Sequence, residues 1–244
     1  MRLTRCHVNL PLVIGSEILL PELVTNHLLR VLRLCEGDTC VLFNGDGHDY
    51  STRLIVKGRR EARVRIEGVA EVCNESPLAI TLVQAIARGE KMDLILQKAT
   101  ELGIAAIVPV DTERTGVRLD GERLAKRLAH WSKVVISACE QCGRARVPAV
   151  QMPHALQALR ETLHPDTLRL ILDPQSEHRL ATLSRLTPSA VTIAIGPEGG
   201  WSPRDLEILK DAGFIGFGLG PRILRTETAG LAAIAVLQAQ LGDL

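Results

Sequence analysis

Polar and apolar residues alternate strictly from Glu61 to Glu67, so that Ala62, Val64 and Ile66 would share one face of a half-buried strand. Three further short runs before residue 72 have strand character: Cys6–Val8, Thr39–Phe43 and Tyr50–Val56. The turn residues Asn44-Gly45-Asp46-Gly47 separate two of them, and a short helix is expected from Glu22 to Leu32. Several short strands punctuated by turn signals predict a small β-barrel over residues 1–72. Past the linker-like stretch Cys73-Asn74-Glu75-Ser76-Pro77 the periodicity changes. Leu78–Ala87 is a continuous apolar run. It is followed by Met92, Ile95, Leu96, Ala99 and Leu102 at helical spacing, closed by Gly103. Strands are then expected at Ile104–Val110, Leu168–Leu172, Val191–Ile195 and Ile215–Leu219. The expected helices are Glu122–Gln141, Pro203–Ala212 and Thr226–Leu241. Apolar strands alternating with helices predict an α/β domain over residues 73–244, its parallel sheet covered on both faces. The last helix is apolar nearly all round, which requires burial inside the domain or cover by a second subunit.

Composition narrows the function classes only a little. The 244 residues carry 29 basic and 28 acidic side chains, a net charge of +1, so any basic footprint for nucleic acid must be local. No apolar run approaches the length of a membrane span. The start Met1-Arg2-Leu3-Thr4-Arg5-Cys6-His7 lacks the apolar core of a signal peptide, so a cytoplasmic location without membrane contact is expected. The 6 cysteines form no disulfide framework. Cys139-Glu140-Gln141-Cys142 has the spacing of a redox or metal pair, but no second pair completes a zinc site, and residues three apart on a helix simply share a face. Structural thiols and no metal are expected.

The chemistry concentrates near the C-terminus. Gly196-Pro197-Glu198-Gly199-Gly200 and Gly218-Leu219-Gly220-Pro221-Arg222 each follow a short apolar run, and the second leads into Ile223-Leu224-Arg225-Thr226-Glu227-Thr228-Ala229. Glycine turns at strand ends let main-chain N–H and C=O groups approach a flat ligand, because no Cβ intervenes. The dinucleotide fingerprint fails: the spacing of Gly216-Phe217-Gly218-Leu219-Gly220 is wrong, and it follows the last strand instead of opening a βαβ unit. No Walker phosphate loop is present.

The two glycine blocks resemble the signature of the RsmE family. Gly89-Glu90-Lys91-Met92-Asp93 through Gln97-Lys98-Ala99-Thr100-Glu101-Leu102-Gly103, Glu140-Gln141-Cys142-Gly143-Arg144 and His27-Leu28-Leu29-Arg30-Val31-Leu32-Arg33-Leu34 are also similar to that family, in order along nearly the whole chain. The resemblance implies an N-terminal PUA-like β-barrel and a C-terminal SPOUT α/β domain with a deep trefoil knot, working as a homodimer. It also implies S-adenosylmethionine as cofactor and methylation of a uridine N3 in 16S ribosomal RNA or the small ribosomal subunit. The hydrophobic pattern itself says nothing of the knot. Cys139 stands where a small residue such as alanine is expected. A SPOUT enzyme acting on another RNA, or a non-catalytic RNA-binding assembly factor with the same fold, remains an alternative.

Uracil N3–H is a weakly acidic imide, so methylation requires removal of its proton or stabilisation of the anion. Arg225 is the candidate catalytic residue, since its guanidinium can donate two hydrogen bonds to a carbonyl-type oxygen. An Arg225–Glu227 pair or a phosphate contact is the competing role. Glu198 can act as base or can order its own loop. The cofactor would be held by Leu172, Gly196, Glu198, Gly200, Leu219, Gly220, Ile223, Leu224, Glu227, Thr228 and Ala229. For RNA the candidates are Arg2, Arg5, Arg30, Arg33 and Arg144, with Arg146 and the Lys57–Arg65 cluster beside them. Aromatic residues make up 2% of the chain, too few to read single strands base by base, so contacts to the phosphates and shape of a folded RNA are expected.

Overall fold

A computed structural model describes residues 4–56, 61–116, 121–163, 166–179 and 188–244. The N-terminal sheet has the strand order β1-β3-β4-β5-β2, built from β1 (Arg5–His7), β2 (Glu17–Leu19), β3 (Thr39–Phe43), β4 (His48–Val56) and β5 (Ala62–Glu71). β1 runs parallel to β3 and the other pairings are antiparallel, with a bulge in β5 at Glu67, opposite Ser51 and Thr52 of β4. Cys6, Cys40, Leu42, Tyr50, Leu54, Ala62, Val64 and Ile66 meet in one core, so the alternation of β5 does put its apolar face inside. The helix expected over Glu22–Leu32 is two turns of different pitch: α1 (Glu22–Asn26), then a π-helical turn His27–Val31 that buries Leu28. Arg33 next to it takes φ +58, which ends the winding.

The second sheet has the order β12-β10-β11-β6-β7-β8, with β9 also against β7, and every pairing is parallel. Its strands are β6 (Ala79–Ala85), β7 (Ala106–Asp111), β8 (Ala149–Val150), β9 (His154–Ala155), β10 (Leu168–Leu172), β11 (Ala190–Ile195) and β12 (Ile215–Phe217). The two-residue strands β8 and β9 are too short to leave a periodic signal in the sequence.

Alternation sorts the central strands by face. Val83, Ala85, Val108, Val110 and Ala194 form a core with Leu159 of α4 (Leu159–Thr162) and Leu209 of α5 (Pro203–Asp211). Leu82, Gln84 and Ile195 point the other way, towards α6 (Thr226–Leu241), where Gly230 lets helix and sheet approach closely. On that side Gln238 of α6 donates to the Leu102 carbonyl at 2.9 Å, satisfying a C-terminal carbonyl of α2 (Glu90–Glu101).

Two units result, Met1–Glu75 with Cys139–Val147, and Ser76–Ala138 with Pro148–Leu244. The last turn of α3 (Gly121–Cys142) thus belongs to the first unit, where the hydrophobic pattern alone sets the division at residue 72. Packing explains it: Cys139 and Ala145 are buried against Phe43, and Arg5 donates to the Cys139 carbonyl at 2.9 Å. Burial pushes the Cys139 thiol up to about 12, with smaller effects from neighbouring charges, so at neutral pH it is a small apolar residue and a poor nucleophile. That is the environment an alanine would also fill.

Candidate active site

The order of the second sheet reverses between β6 and β11. β7 and β8 continue outward from β6 on one side, while β11, β10 and β12 lie on the other. In open parallel sheets ligands bind beyond the strand carboxyl ends near such a reversal. A cleft of about 640 Å³ lies there. Its walls come from the segment after β10 (Leu172, Asp173, Pro174, Gln175), from that after β11 (Ile195 through Trp201), and from Ile223–Glu227 and Ala229 at the start of α6. Lys91 and Leu206 complete them.

The first glycine block meets the start of α6 through one side chain. Thr226, the first residue of α6 and nearly buried, donates its hydroxyl to the Gly196 carbonyl at 2.7 Å and accepts from Gln84 at 3.1 Å. Gly196 itself has the Trp201 indole 3.2 Å from where a Cβ would stand, and Gly200 takes φ +67. The next helix, α5, starts with a reciprocal cap: Asp205 N–H donates to the Ser202 hydroxyl and Ser202 N–H to the Asp205 carboxylate, both at 3.0 Å. The backbone of this loop is therefore held from both ends.

Of the proposed cofactor residues, Leu172, Gly196, Glu198, Gly200, Ile223, Leu224, Glu227 and Ala229 line the cleft together with Arg225. Leu219, Gly220 and Thr228 are not among its walls. The Gly218–Gly220 segment lies instead against the chain after β10: Gly218 N–H donates to the His178 carbonyl at 2.8 Å, and Arg179 reaches the Gly220 carbonyl at 3.4 Å. Gly220 has φ +131, a conformation that favours glycine. Thr228 points to solvent.

Lys91 is the functional candidate that sequence reasoning missed as a site residue. It lies in the central block similar to RsmE, more than 100 positions before the glycine turns, and periodicity made it only the solvent side of a helix. In the fold its ammonium stands 3.2 Å from Glu198 and 3.8 Å from Glu227. Partial burial works to raise the Glu198 carboxyl. Hydrogen bonds from the Glu198 and Arg88 N–H groups and the Lys91 ammonium outweigh it and hold that carboxyl below the usual range. Arg225 is exposed, and it has no ion pair or side-chain hydrogen bond among the described residues. The Arg225–Glu227 pair does not form, because Glu227 turns to Lys91.

Two of the arginines expected to face RNA are corrected. The Arg5 side chain is 7% exposed and is bidentate to Asp49, and that of Arg144 is 6% exposed and bidentate to Glu75. Each is buried within the first unit, where its guanidinium is engaged by a carboxylate instead of facing solvent. Arg30 and Arg33 are exposed, as is Arg146, and Arg2 lies outside the described residues. So do residues 57–60, while Arg63 and Arg65 pair with Glu61 and Glu17.

The cleft's walls suit a nucleoside-type ligand with a polar tail. Leu172, Ile195, Leu224 and Ala229 give apolar faces, backbone groups of Gly196–Gly200 give donors and acceptors, and two buried atoms, Trp201 Nε1 and a Glu227 oxygen, lack hydrogen-bond partners. S-adenosylmethionine has this character throughout. Fold and cleft together define an RNA methyltransferase with an N-terminal PUA-like domain and a SPOUT-like catalytic domain. The chain matches the RNA methyltransferase domain family over residues 74–238 and the RNA methyltransferase PUA domain over residues 24–67. It is 32% identical over 243 residues to the ribosomal RNA small subunit methyltransferase E of Buchnera aphidicola, covering 100% of this chain and 98% of that one. The Mycobacterium tuberculosis protein of the same name is 33% identical over 217 residues, covering 86% and 82%. Among solved structures, that of the Neisseria gonorrhoeae enzyme bound to S-adenosylmethionine superposes with a TM-score of 0.92 at 40% identity, covering 100% of both chains. A Legionella pneumophila protein with the same cofactor bound gives 0.95 at 38%, also over 100% of both. The chain belongs to the ribosomal RNA small subunit methyltransferase E family.

Proposed function

We propose that this protein transfers the methyl group of S-adenosylmethionine to N3 of a uridine in 16S ribosomal RNA. The carrying observation is the cleft at the strand carboxyl ends, which brings the Gly196–Gly200 block together with Ile223–Glu227, Arg225 among them, in a chain of this family. Bound there, S-adenosylmethionine supplies an electrophilic methyl group on a positively charged sulfur. Leu172, Gly196, Gly200, Ile223, Leu224 and Ala229 would hold it. Arg225, which has no side-chain partner among the described residues, donates to a uracil carbonyl oxygen and favours the N3 anion. Glu198, tied to Arg88 N–H and Lys91, orders its loop.

The wider reading follows the same division. Residues 1–72 bind RNA through Arg30 and Arg33, and residues 73–244 carry catalysis. We take the C-terminal segment to form a trefoil knot, a reading supported by the passage of the chain after β10 across Gly216 and Gly218, where no Cβ blocks it. The outer face of α6, with Leu231, Ala232, Ala235 and Val236 only partly covered, fits a homodimer contact. The site of action is cytoplasmic, where ribosomal RNA is found. Incubation with methyl-labelled cofactor and small ribosomal subunits should label one uridine of 16S RNA at N3. Label only in transfer RNA or on a ribose hydroxyl would leave the class intact and overturn the substrate. Binding of RNA without binding of the cofactor would make the protein an assembly factor.

A further inference from the structure

The cleft holds two carboxylates in different circumstances. One Glu198 oxygen accepts from Arg88 N–H at 3.3 Å and from Lys91 at 3.2 Å. Glu227 has no hydrogen bond at either oxygen among the described residues, although its side chain is only 15% exposed and one oxygen is fully buried. Lys91 approaches that oxygen to 3.8 Å, close enough to offset its charge and too far for a hydrogen bond. A buried acceptor left unmade costs about 1–3 kcal/mol, and such atoms usually have a ligand or water to meet. Glu227 also stands two residues beyond Arg225 on the same helix start, and both line the cleft. A cation without a side-chain partner among the described residues and a carboxylate without a hydrogen bond thus adjoin one space.

Resting on the uridine-N3 reading above, we infer that Glu227 is the proton acceptor for the methylated nitrogen. The N3–H bond breaks and its proton passes to a Glu227 oxygen. The electron pair left on N3 forms the new bond to the methyl carbon. The methyl–sulfur bond breaks and its pair returns to sulfur, so the sulfonium and carboxylate charges cancel as N-methyluracil, a neutral thioether and a neutral carboxylic acid form. The acid then loses its proton to water. Glu198 is the poorer acceptor because one of its oxygens already accepts from Arg88 N–H and Lys91 and its acidity is increased. Lys91 serves both carboxylates as counter-charge, 3.2 Å from Glu198 and 3.8 Å from Glu227.

The test compares Glu227→Gln with the parent on small subunits reconstituted with ordinary 16S RNA and with 16S RNA containing 5-fluorouridine, whose N3–H is more acidic. Binding of S-adenosylmethionine is followed in parallel by calorimetry. Cofactor affinity should stay within about threefold, while turnover on ordinary RNA falls about a hundredfold or more. On the fluorinated RNA the loss should shrink to within about tenfold, because less help is needed to remove the proton. Equal losses on the two RNAs, or cofactor affinity falling in step with rate, would overturn the assignment and make Glu227 a cofactor-holding residue. If Glu227→Gln does not fold, Glu227→Ala, which also removes the carboxylate, carries the same comparison, read in the same way. A parent protein that labels no uridine N3 on either RNA would instead overturn the proposed function, a result distinct from all of these.

Discussion

Arg225 ends an extended segment and caps α6 through its backbone carbonyl, which accepts from Thr228 and Ala229 N–H at 2.9 and 2.8 Å. Its side chain takes no part in that cap, so removing it should leave the helix start in place. Arg225→Ala is accordingly expected to keep S-adenosylmethionine affinity within several-fold by calorimetry and to lose most turnover. Losses that match in binding and rate would make it a wall of the pocket. Charge alone does not separate this arginine from Arg5 and Arg144, which the sequence pattern groups with the RNA-facing arginines. What separates them is the position of a carboxylate: Asp49 and Glu75 come from distant points of the chain to meet those two, and none among the described residues meets Arg225. Glu198 adds a pH signature. Its carboxyl is more acidic folded than unfolded, so the unfolded state binds more protons between the two values. The stability it contributes is present above the ordinary carboxylate range and is lost as pH falls through the lowered value. Melting temperatures of Glu198→Gln should therefore decline less steeply on acidification than those of the parent.

At the scale of elements, the loop between β11 and α5 is fixed by its exit as much as by its glycines. Ser202 and Asp205 are 3% and 1% exposed, and each satisfies the other's backbone N–H. Ser202→Ala removes one arm of this cap and should cost about 1 kcal/mol. For a chain of this size that is a fall of roughly 2–4 °C in Tm by scanning calorimetry. The helix and strand pattern is well marked in the sequence wherever an element is long. β3, β10 and α6 have the bounds expected, because continuous apolar runs, short for strands and long for a buried helix, are local properties. β2, β8 and β9 leave no such mark, since strands of two or three residues owe their existence to a neighbour's free edge. The π-helical turn at His27–Val31 is likewise hidden inside a plain helical pattern.

For the whole molecule, α6 links stability, site and assembly. Its inner face packs on β6 and β11 through Gly230, Ala233, Ile234 and Leu237, and its start carries Arg225, Thr226 and Glu227. Its outer apolar face requires cover, and light scattering at micromolar protein should give the mass of a dimer. Val236→Glu, which places a charge on that face, should shift the mass towards the monomer; a monomeric parent would end the dimer reading. No helix among the described residues is long and apolar enough to cross a membrane.

By itself the sequence determined the class of each layer, the glycine blocks and the family they resemble, because backbone freedom and hydrophobic period are written in neighbouring residues. Only the tertiary structure decided which charges are free. Lys91 joins Glu198 and Glu227 across more than 100 residues, Cys139 is drawn into the first unit, and two arginines are consumed by internal pairs. Pairing depends on which distant groups the fold brings within a few ångströms, and local sequence carries no record of that. Hence the glycine pocket could be foreseen, while the carboxylate left without a hydrogen bond beside it could not.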